Sequence, residues 1–236
     1  MAESAAEFVE IGDDIVRRLR EVAGLGPESR VVDIGCGYGR LAHALLRWPG
    51  FRGRYAGIDI LERHVGWCAE CLAPLAGGRF EFRFLDVRNG RYNPQGALDP
   101  NTLDLGVPPR SADVVVLSSV FTHMYPEQIT HYLEQIRLMA APGPRVFATF
   151  FLLNDAWRAA AAENRPRYPL PHALNDVCRF MDAADPLHVI AYEESWVRQQ
   201  VAAAAFGPVG SVLYGSWSGR ADAFDFQDVL VFGPPA

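Results

Sequence analysis

The hydrophobic and polar positions along the chain repeat with two different periods. Short apolar runs, continuous or alternating, predict strands, and apolar residues spaced three and four apart predict helices. The predicted strands are Arg30–Ile34, Arg54–Ile60, Phe80–Leu85, Asp113–Ser118, Arg145–Leu152, Val209–Tyr214 and Phe226–Phe232. The predicted helices are residues 4–24, Arg40–Arg47, Glu62–Leu75, Pro126–Ala140, Asp155–Ala162 and Glu193–Ala205.

The order of these elements predicts an α/β fold. Strands that alternate with helices imply βαβ crossovers and therefore parallel pairing. No helical pattern separates the last two strands, which favours an antiparallel hairpin. We therefore predict a Rossmann-like, doubly wound, seven-stranded and mostly parallel sheet with a C-terminal antiparallel hairpin. It forms one domain over residues 1–236, with segment 1–24 as an N-terminal helix.

Two segments, 89–111 and 154–190, break the alternation of strands and helices. The first is rich in Pro, Gly, Asn and Asp, and the second contains one short predicted helix. Long irregular segments in a compact domain are usually functional loops or disordered ones. We expect both to be insertions on the substrate side of the sheet, where they form a lid.

Composition and charge narrow the class of ligand. The chain carries a net charge of −6 without an arginine-dense stretch, which argues against nucleic acid or an anionic membrane as a partner. No apolar run is long enough to cross a bilayer, and Met1–Glu10 lacks the basic start of a secretory signal. The four cysteines of the chain are too sparse for a secreted disulfide framework. We expect a cytoplasmic protein with a small-molecule substrate. The oligomeric state stays open, with a homodimer among the options.

A glycine-rich loop follows the first predicted strand, with Gly35, Gly37 and Gly39 at alternate positions. Glycines there let a ligand approach the backbone and let the next helix pack closely. The spacing is one residue tighter than the usual dinucleotide-binding pattern. Asp33 precedes the loop, and a buried carboxylate suits a sulfonium or ammonium group better than a pyrophosphate.

Two further acids end the second and third strands. Asp59 lies where a carboxylate can bind both hydroxyls of a ribose, although it could instead cap the next helix. Asp86 can accept from an adenine amino group while the Val87 N–H reaches a ring nitrogen. A simple turn-forming role for Asp86 is the alternative.

These residues resemble the motifs of class I S-adenosylmethionine (SAM)-dependent methyltransferases. The stretch 31–39 is similar to the first motif of that family, and segment 118–124 to the motif after strand four. Later stretches resemble a bacterial subgroup of small-molecule methyltransferases, except that Pro144 replaces the second glycine of a Gly-Gly turn before strand five. The resemblance implies SAM as cofactor. It implies binding by Asp33, Gly35, Cys36, Gly37, Tyr38, Gly39, Arg40, Asp59, Ile60, Asp86, Val87, Ser118 and Ser119.

His123 is the predicted catalytic base. It lies just past strand four, at the sheet edge where open α/β folds bind ligands, and its ordinary pKa suits proton transfer near neutrality. A packing or capping role is the alternative. Residues predicted to contact the methyl acceptor are Tyr125, Asn154, Tyr214, Trp217 and Arg220. Asn154 could instead cap a helix, and Trp217 could cover the sheet edge.

The predicted reaction is methyl transfer from SAM to a hydroxyl of a sugar or secondary metabolite, without a metal ion. An NAD-dependent oxidoreductase is the first alternative, and the loop spacing with Asp33 argues against it. A non-catalytic SAM-binding protein is the second. An RNA methyltransferase is the third, and the net acidity argues against it.

Overall fold

A computed structural model describes residues 4–163, 165–207 and 209–233. Positions 1–3, 164, 208 and 234–236 of the predicted domain, and the side chains of Pro144 and Ser211, lie outside the described residues. The helices are α1 Ala5–Val22, α2 Arg40–Arg47, α3 Glu62–Cys71, α4 Pro126–Met139, α5 Asp155–Ala162 and α6 Glu194–Ala203. The strands are β1 Arg30–Ile34, β2 Arg54–Asp59, β3 Phe80–Phe84, β4 Ala112–Leu117, β5 Ala140–Phe150, β6 Leu152–Leu153, β7 His172–Asn175, β8 Cys178–Phe180, β9 Ile190–Glu193, β10 Ser211–Leu213 and β11 Asp228–Phe232.

The main sheet has seven strands in the order β10-β11-β5-β4-β1-β2-β3. Strands β1 to β5 pair in parallel, whereas β11 is antiparallel to both β5 and β10. The predicted mostly parallel sheet with a C-terminal antiparallel strand pair is therefore confirmed. Because the strand order reverses beside β1, the loops after β1 and β4 diverge and leave a crevice at the carboxyl ends of the strands.

The sheet is covered on both faces, as a doubly wound fold requires. Val31 packs in a core cluster with residues of α1, α2 and α3, while Val32 packs in another with residues of α4 and α6. This alternation follows the two-residue period of a strand. No helix in the described ranges has the length and apolar character needed to cross a bilayer.

The structure corrects several predicted elements. Helix α3 ends at Cys71 instead of Leu75, because Pro74 lacks the N–H of a continuing helix and lies in a short 3-10 turn. The predicted turn at Pro142-Gly143 is an irregularity inside β5, where the register with β4 shifts and Gly143 has a φ of +75°. Segment 154–190 is less irregular than predicted. Its strands β7 and β8 join β6 and β9 in a second, four-stranded sheet.

Candidate functional site

A cleft of about 450 Å³ opens at the carboxyl ends of the parallel strands β1 to β4. This is the edge where doubly wound sheets bind their ligands. Predicted site residues on its wall are Gly35, Gly37, Arg40, Asp59, Ile60, Val87, Ser118, Ser119 and His123. Strand ends that are far apart in sequence therefore contribute to one cavity.

The three glycines of the loop after β1 all have positive φ, at 78°, 55° and 72°. A Cβ on Gly35 would lie 2.4 Å from Cγ2 of Val120, and one on Gly39 would lie 2.6 Å from Cδ1 of Leu72. Gly37 faces open space on the cleft wall. Two of the glycines therefore permit close packing, and the third exposes bare backbone to a ligand.

Asp59 connects the loop to the end of β2. Its Oδ2 accepts from the Gly37 N–H at 2.7 Å and its Oδ1 from the Leu61 N–H at 2.9 Å. The residue is 7% exposed and lines the cleft. Each carboxylate oxygen has a second lone pair, so both can still accept from a ligand.

Asp33 lies behind the cleft wall instead of on it. Its Oδ2 accepts from the Tyr55 hydroxyl at 2.7 Å. Burial raises the pKa of Asp33 to about 7, and the negative charge of Asp59 adds to this increase. The Tyr55 hydrogen bond and the positive charge of Arg40 oppose the increase. Arg40 lines the cleft, and burial lowers the pKa of its guanidinium. The negative charge of Asp33 opposes this decrease. A buried carboxylate and a partly buried guanidinium thus flank the glycine loop.

The end of β3 differs from the sequence-based expectation. Asp86 is not on the cleft wall: it accepts from Asn93 Nδ2 at 2.9 Å and from the Ala97 N–H at 3.2 Å. Val87 does line the cleft, but its N–H donates to the Leu85 carbonyl at 2.7 Å. The polar groups expected to bind adenine are therefore used within the chain itself.

The remaining residues of the predicted cofactor set have mixed positions. Cys36 is buried, and its N–H donates to the Ile58 carbonyl at 3.0 Å. Tyr38 packs against His64 with ring centroids 3.9 Å apart. Ser119 lines the cleft with a φ of +60°, held by Thr149 and by a hydrogen bond from its hydroxyl to Gln227. A non-glycine residue with positive φ is strained, and such strain concentrates at functional sites.

His123 lies on the opposite wall in a short 3-10 turn after β4. Its Nδ1 is 2.8 Å from the carbonyl of Leu187, which accepts a hydrogen bond but cannot donate one. Nδ1 therefore carries the proton in the neutral ring, and Nε2 carries the lone pair. Burial lowers the pKa of His123, although the Leu187 contact opposes this effect. The neutral form is favoured near neutrality.

Both irregular segments hold His123 in place. Asn89 donates from Nδ2 to the His123 carbonyl at 3.1 Å, and Tyr92 packs edge-on against its ring at 5.4 Å. Arg91 forms an ion pair with Asp185, which joins segment 89–111 to the loop that carries Leu187. Contacts distant in sequence thus fix the ring.

The residues predicted to contact the acceptor are not on the cleft wall. Trp217 is fully buried, and its Nε1 donates to Asp228 at 2.7 Å. Asn154 caps α5 by accepting from the Trp157 N–H. Tyr214 donates to Glu194, Arg220 covers the Tyr214 ring, and Tyr125 begins α4 as its N-cap.

The residues of the cleft wall that the sequence did not single out include His64, Gln128 and Tyr132. Gln128 and Tyr132 are four residues apart in α4 and share one face of the helix. Their spacing beside the apolar stripe of Ile129 and Leu133 was visible in the sequence. The sequence gives no indication of which side of that stripe faces a cavity.

Comparisons with known proteins agree with this geometry. A family model described as a methyltransferase domain matches residues 5–186. The fold is similar to PH0226 from Pyrococcus horikoshii OT3, with 13% identity, a TM-score of 0.59, and coverage of 99% of this chain and 92% of that one. It is also similar to the 1,6-didemethyltoxoflavin-N1-methyltransferase of Burkholderia thailandensis, solved with S-adenosylhomocysteine (SAH), with 18% identity, a TM-score of 0.58, and 97% and 79% coverage. The cyclase SpnF is similar at 15% identity, with a TM-score of 0.59 and 95% and 81% coverage.

Proposed function

The chain belongs to the SAM-dependent methyltransferase family, and from that premise we propose that it methylates a hydroxyl group of a small molecule. The observation that carries the proposal is the His123 ring on the cleft wall. Its Nδ1 contacts Leu187, and its Nε2 has no hydrogen-bond partner in the described part of the chain. The products would be a methyl ether and SAH.

The donor set of the cleft fits SAM. Bare backbone at Gly37 and the carboxylate of Asp59 suit a ribose with two neighbouring hydroxyls. The Arg40 guanidinium suits the carboxylate at the amino-acid end of SAM. The buried carboxylate of Asp33 favours a positively charged ligand group near the glycine loop. When bound, SAM supplies a methyl group on a positively charged sulfur.

We assign His123 as the general base. The acceptor hydroxyl donates its proton to Nε2 while its oxygen forms the new bond to the methyl carbon. SAM, when bound, would supply the methyl group and would leave as SAH, which keeps the electron pair of the former sulfur–carbon bond. The imidazolium keeps its Nδ1–H on the Leu187 carbonyl and then releases the Nε2 proton to solvent.

This role predicts a pH dependence. Because burial lowers the pKa of His123 from the ordinary value of 6.5, the ring is already unprotonated at neutral pH. The rate constant kcat should rise with pH, reach half its maximum below pH 6.5 and stay constant above neutrality, where the base is unprotonated. A plateau reached only above pH 8 would assign the titration to another group.

Small-molecule selectivity is supported by the character of the cleft and the chain. Segments 89–111 and 154–190 meet through Arg91 and Asp185 beside His123, which favours an enclosed acceptor over a long polymer. The net charge of −6 also disfavours a polyanion. The Burkholderia relative is described as an N1-methyltransferase bound to 1,6-didemethyltoxoflavin, so nitrogen acceptors belong in the same test.

The test is transfer of a radiolabelled methyl group. The protein is incubated with methyl-labelled SAM and pools of hydroxyl, amine and thiol compounds, and both label and SAH are quantified. We expect label in a hydroxyl compound with an equal amount of SAH. Label in amines alone would contradict the hydroxyl assignment.

The same assay separates the alternative functions. SAH binding without transfer to any pool would favour a non-catalytic SAM-binding protein. Because a ligand that binds the native state raises the melting temperature, SAH should stabilise the protein and NADH should not. Stabilisation by NADH alone would support an oxidoreductase.

A further inference from the structure

The apolar end of the cleft lies beside β3, where a nucleoside base would bind. Leu85, Val87 and Leu105 line this end. The expected polar partners do not face the cleft: Asp86 is off the cleft wall, with both oxygens turned to its own loop, and the Val87 N–H donates to Leu85. A planar base placed here would have apolar walls but would need other partners for its polar edge.

Two buried side chains of α4 bring unpaired polar atoms to the same cleft. Gln128 is 8% exposed and Tyr132 is 5% exposed, and both line the cavity. Neither Gln128 Nε2 nor the Tyr132 hydroxyl has a hydrogen-bond partner among residues 4–163, 165–207 and 209–233. Both atoms are accessible from the cavity and are therefore available to a ligand bound there.

The face of α4 that carries these side chains is fastened to the loop beside β3. Gln135, which continues that face, accepts from the Leu105 N–H at 3.4 Å, and His131 Nε2 is 2.7 Å from the Leu103 carbonyl. Gln128 and Tyr132 line the same cleft as Leu105 and Val87, and their helix is held against the loop that carries Leu105.

The orientation of the Gln128 amide is fixed by its own helix. Its Oε1 accepts from the Tyr125 N–H at 2.9 Å, as part of a capping box. Nε2, a donor, is therefore the atom left for the ligand. Adenine offers a ring-nitrogen acceptor at N1 beside the 6-amino donor, and an amide donor next to a hydroxyl complements that pair.

We propose that Gln128 and Tyr132 recognise the Watson–Crick edge of the SAM adenine, with Gln128 Nε2 donating to N1 and the Tyr132 hydroxyl accepting from the 6-amino group. The proposal rests on SAM as the family cofactor and is independent of the hydroxyl acceptor proposed above. It replaces the role that the sequence assigned to Asp86.

The test is calorimetric binding of SAH and of S-inosylhomocysteine, which carries an N1–H donor and a 6-oxo group. Gln128→Glu keeps an oxygen for the Tyr125 cap but removes the donor. We expect it to weaken SAH binding about tenfold to a hundredfold and to shift preference toward the inosine analogue. Tyr132→Phe should weaken SAH binding about threefold to tenfold.

Gln135→Glu is the matched control, because it makes the same change on the same helix face outside the cleft. It should leave both affinities within about twofold of the unmodified chain. Asp86→Asn should weaken SAH binding less than Gln128→Glu does. A larger loss with Asp86→Asn, or unchanged SAH affinity with a raised KM for an acceptor in Gln128→Glu, would overturn the proposal. Because calorimetry needs no acceptor, failure of methyl transfer would not affect this result.

Discussion

Segments 118–124 and 214–220 lie at the same edge of the main sheet, after β4 and before β11. Each combines serines with aromatic and basic residues, and the sequence favoured both as parts of the site. In the structure, His123 faces the cleft, whereas Trp217 is fully buried with its indole N–H on Asp228. One segment borders a cavity, and the other completes a core.

The difference comes from what each segment finds opposite itself. Trp217 packs on Phe151 at 4.9 Å and donates to Asp228, which also accepts from the Leu152 and Gly215 N–H groups. His123 instead meets the edge of an insertion and a backbone carbonyl. An aromatic residue beside polar ones therefore marks a site only if the fold leaves space in front of it.

The largest expected effect is that of His123→Ala. Loss of a general base should lower kcat about 100-fold to 10,000-fold, while the Kd for SAH stays within about threefold. His131→Ala is the control, since His131 also bonds a backbone carbonyl but is not on the cleft wall. Turnover at the original rate in His123→Ala would remove this residue from catalysis.

Trp217→Phe should affect stability instead of binding. It removes the N–H that Asp228 accepts within the core, which should lower the free energy of unfolding by about 1–3 kcal/mol. Urea denaturation measures the loss, and calorimetry with SAH should give an unchanged Kd. Tenfold weaker SAH binding without a loss of stability would show that segment 214–220 belongs to the binding site.

Two buried aspartates, one beside the glycine loop and one beside Trp217, make the free energy of unfolding depend on pH. Burial is the main cause that raises the pKa of Asp33 to about 7 and that of Asp228 to about 6. At these two groups, the folded chain therefore holds more protons than the unfolded chain between about pH 4 and the raised pKa. The free energy of unfolding should fall as pH rises, up to about pH 7 for Asp33 and about pH 6 for Asp228.

Cofactor binding should distinguish these two aspartates. A cationic cofactor favours the ionised form of Asp33, so SAM affinity should rise by up to about tenfold between pH 6 and pH 8. Asp33→Asn should abolish this rise, and Asp228→Asn should preserve it. If SAM affinity rose equally with pH in Asp33→Asn and in the unmodified chain, Asp33 would not interact with the charge of the cofactor.

The smallest effect is expected for Arg220→Ala. The guanidinium lies over the Tyr214 ring at 4.1 Å, and its removal should cost about 0.5–1 kcal/mol of stability. Neither kcat nor the Kd for SAH should change by more than about twofold. A raised KM for the acceptor would instead show that the turn reaches the substrate.

The parts of the fold that the sequence predicts well are those encoded locally. Strand and helix periods predicted the main sheet, and alternate glycines predicted the loop that Asp59 holds through the Gly37 N–H. Gly37 and Asp59 lie within one βαβ unit, β1–α2–β2. Nearby residues in sequence were enough, because the geometry of such a unit is nearly constant.

The rest of the site depends on contacts that local patterns do not encode. Asp59 and Asp86 both end strands, yet the loop after β3 turns back and uses the Asp86 carboxylate. The ring of His123 is fixed by Leu187, sixty-four positions away. Short strands such as β7 have too few residues to show a period, so the second sheet was missed.

We expect cofactor and acceptor to meet between the glycine loop and His123. A crystal structure of the protein with SAH tests it most directly. We expect the ribose hydroxyls on Asp59 and the sulfur facing His123, about 6–8 Å from Nε2, which leaves room for one acceptor oxygen in line. A sulfur that points away from His123, or an adenine packed against that ring, would contradict the account.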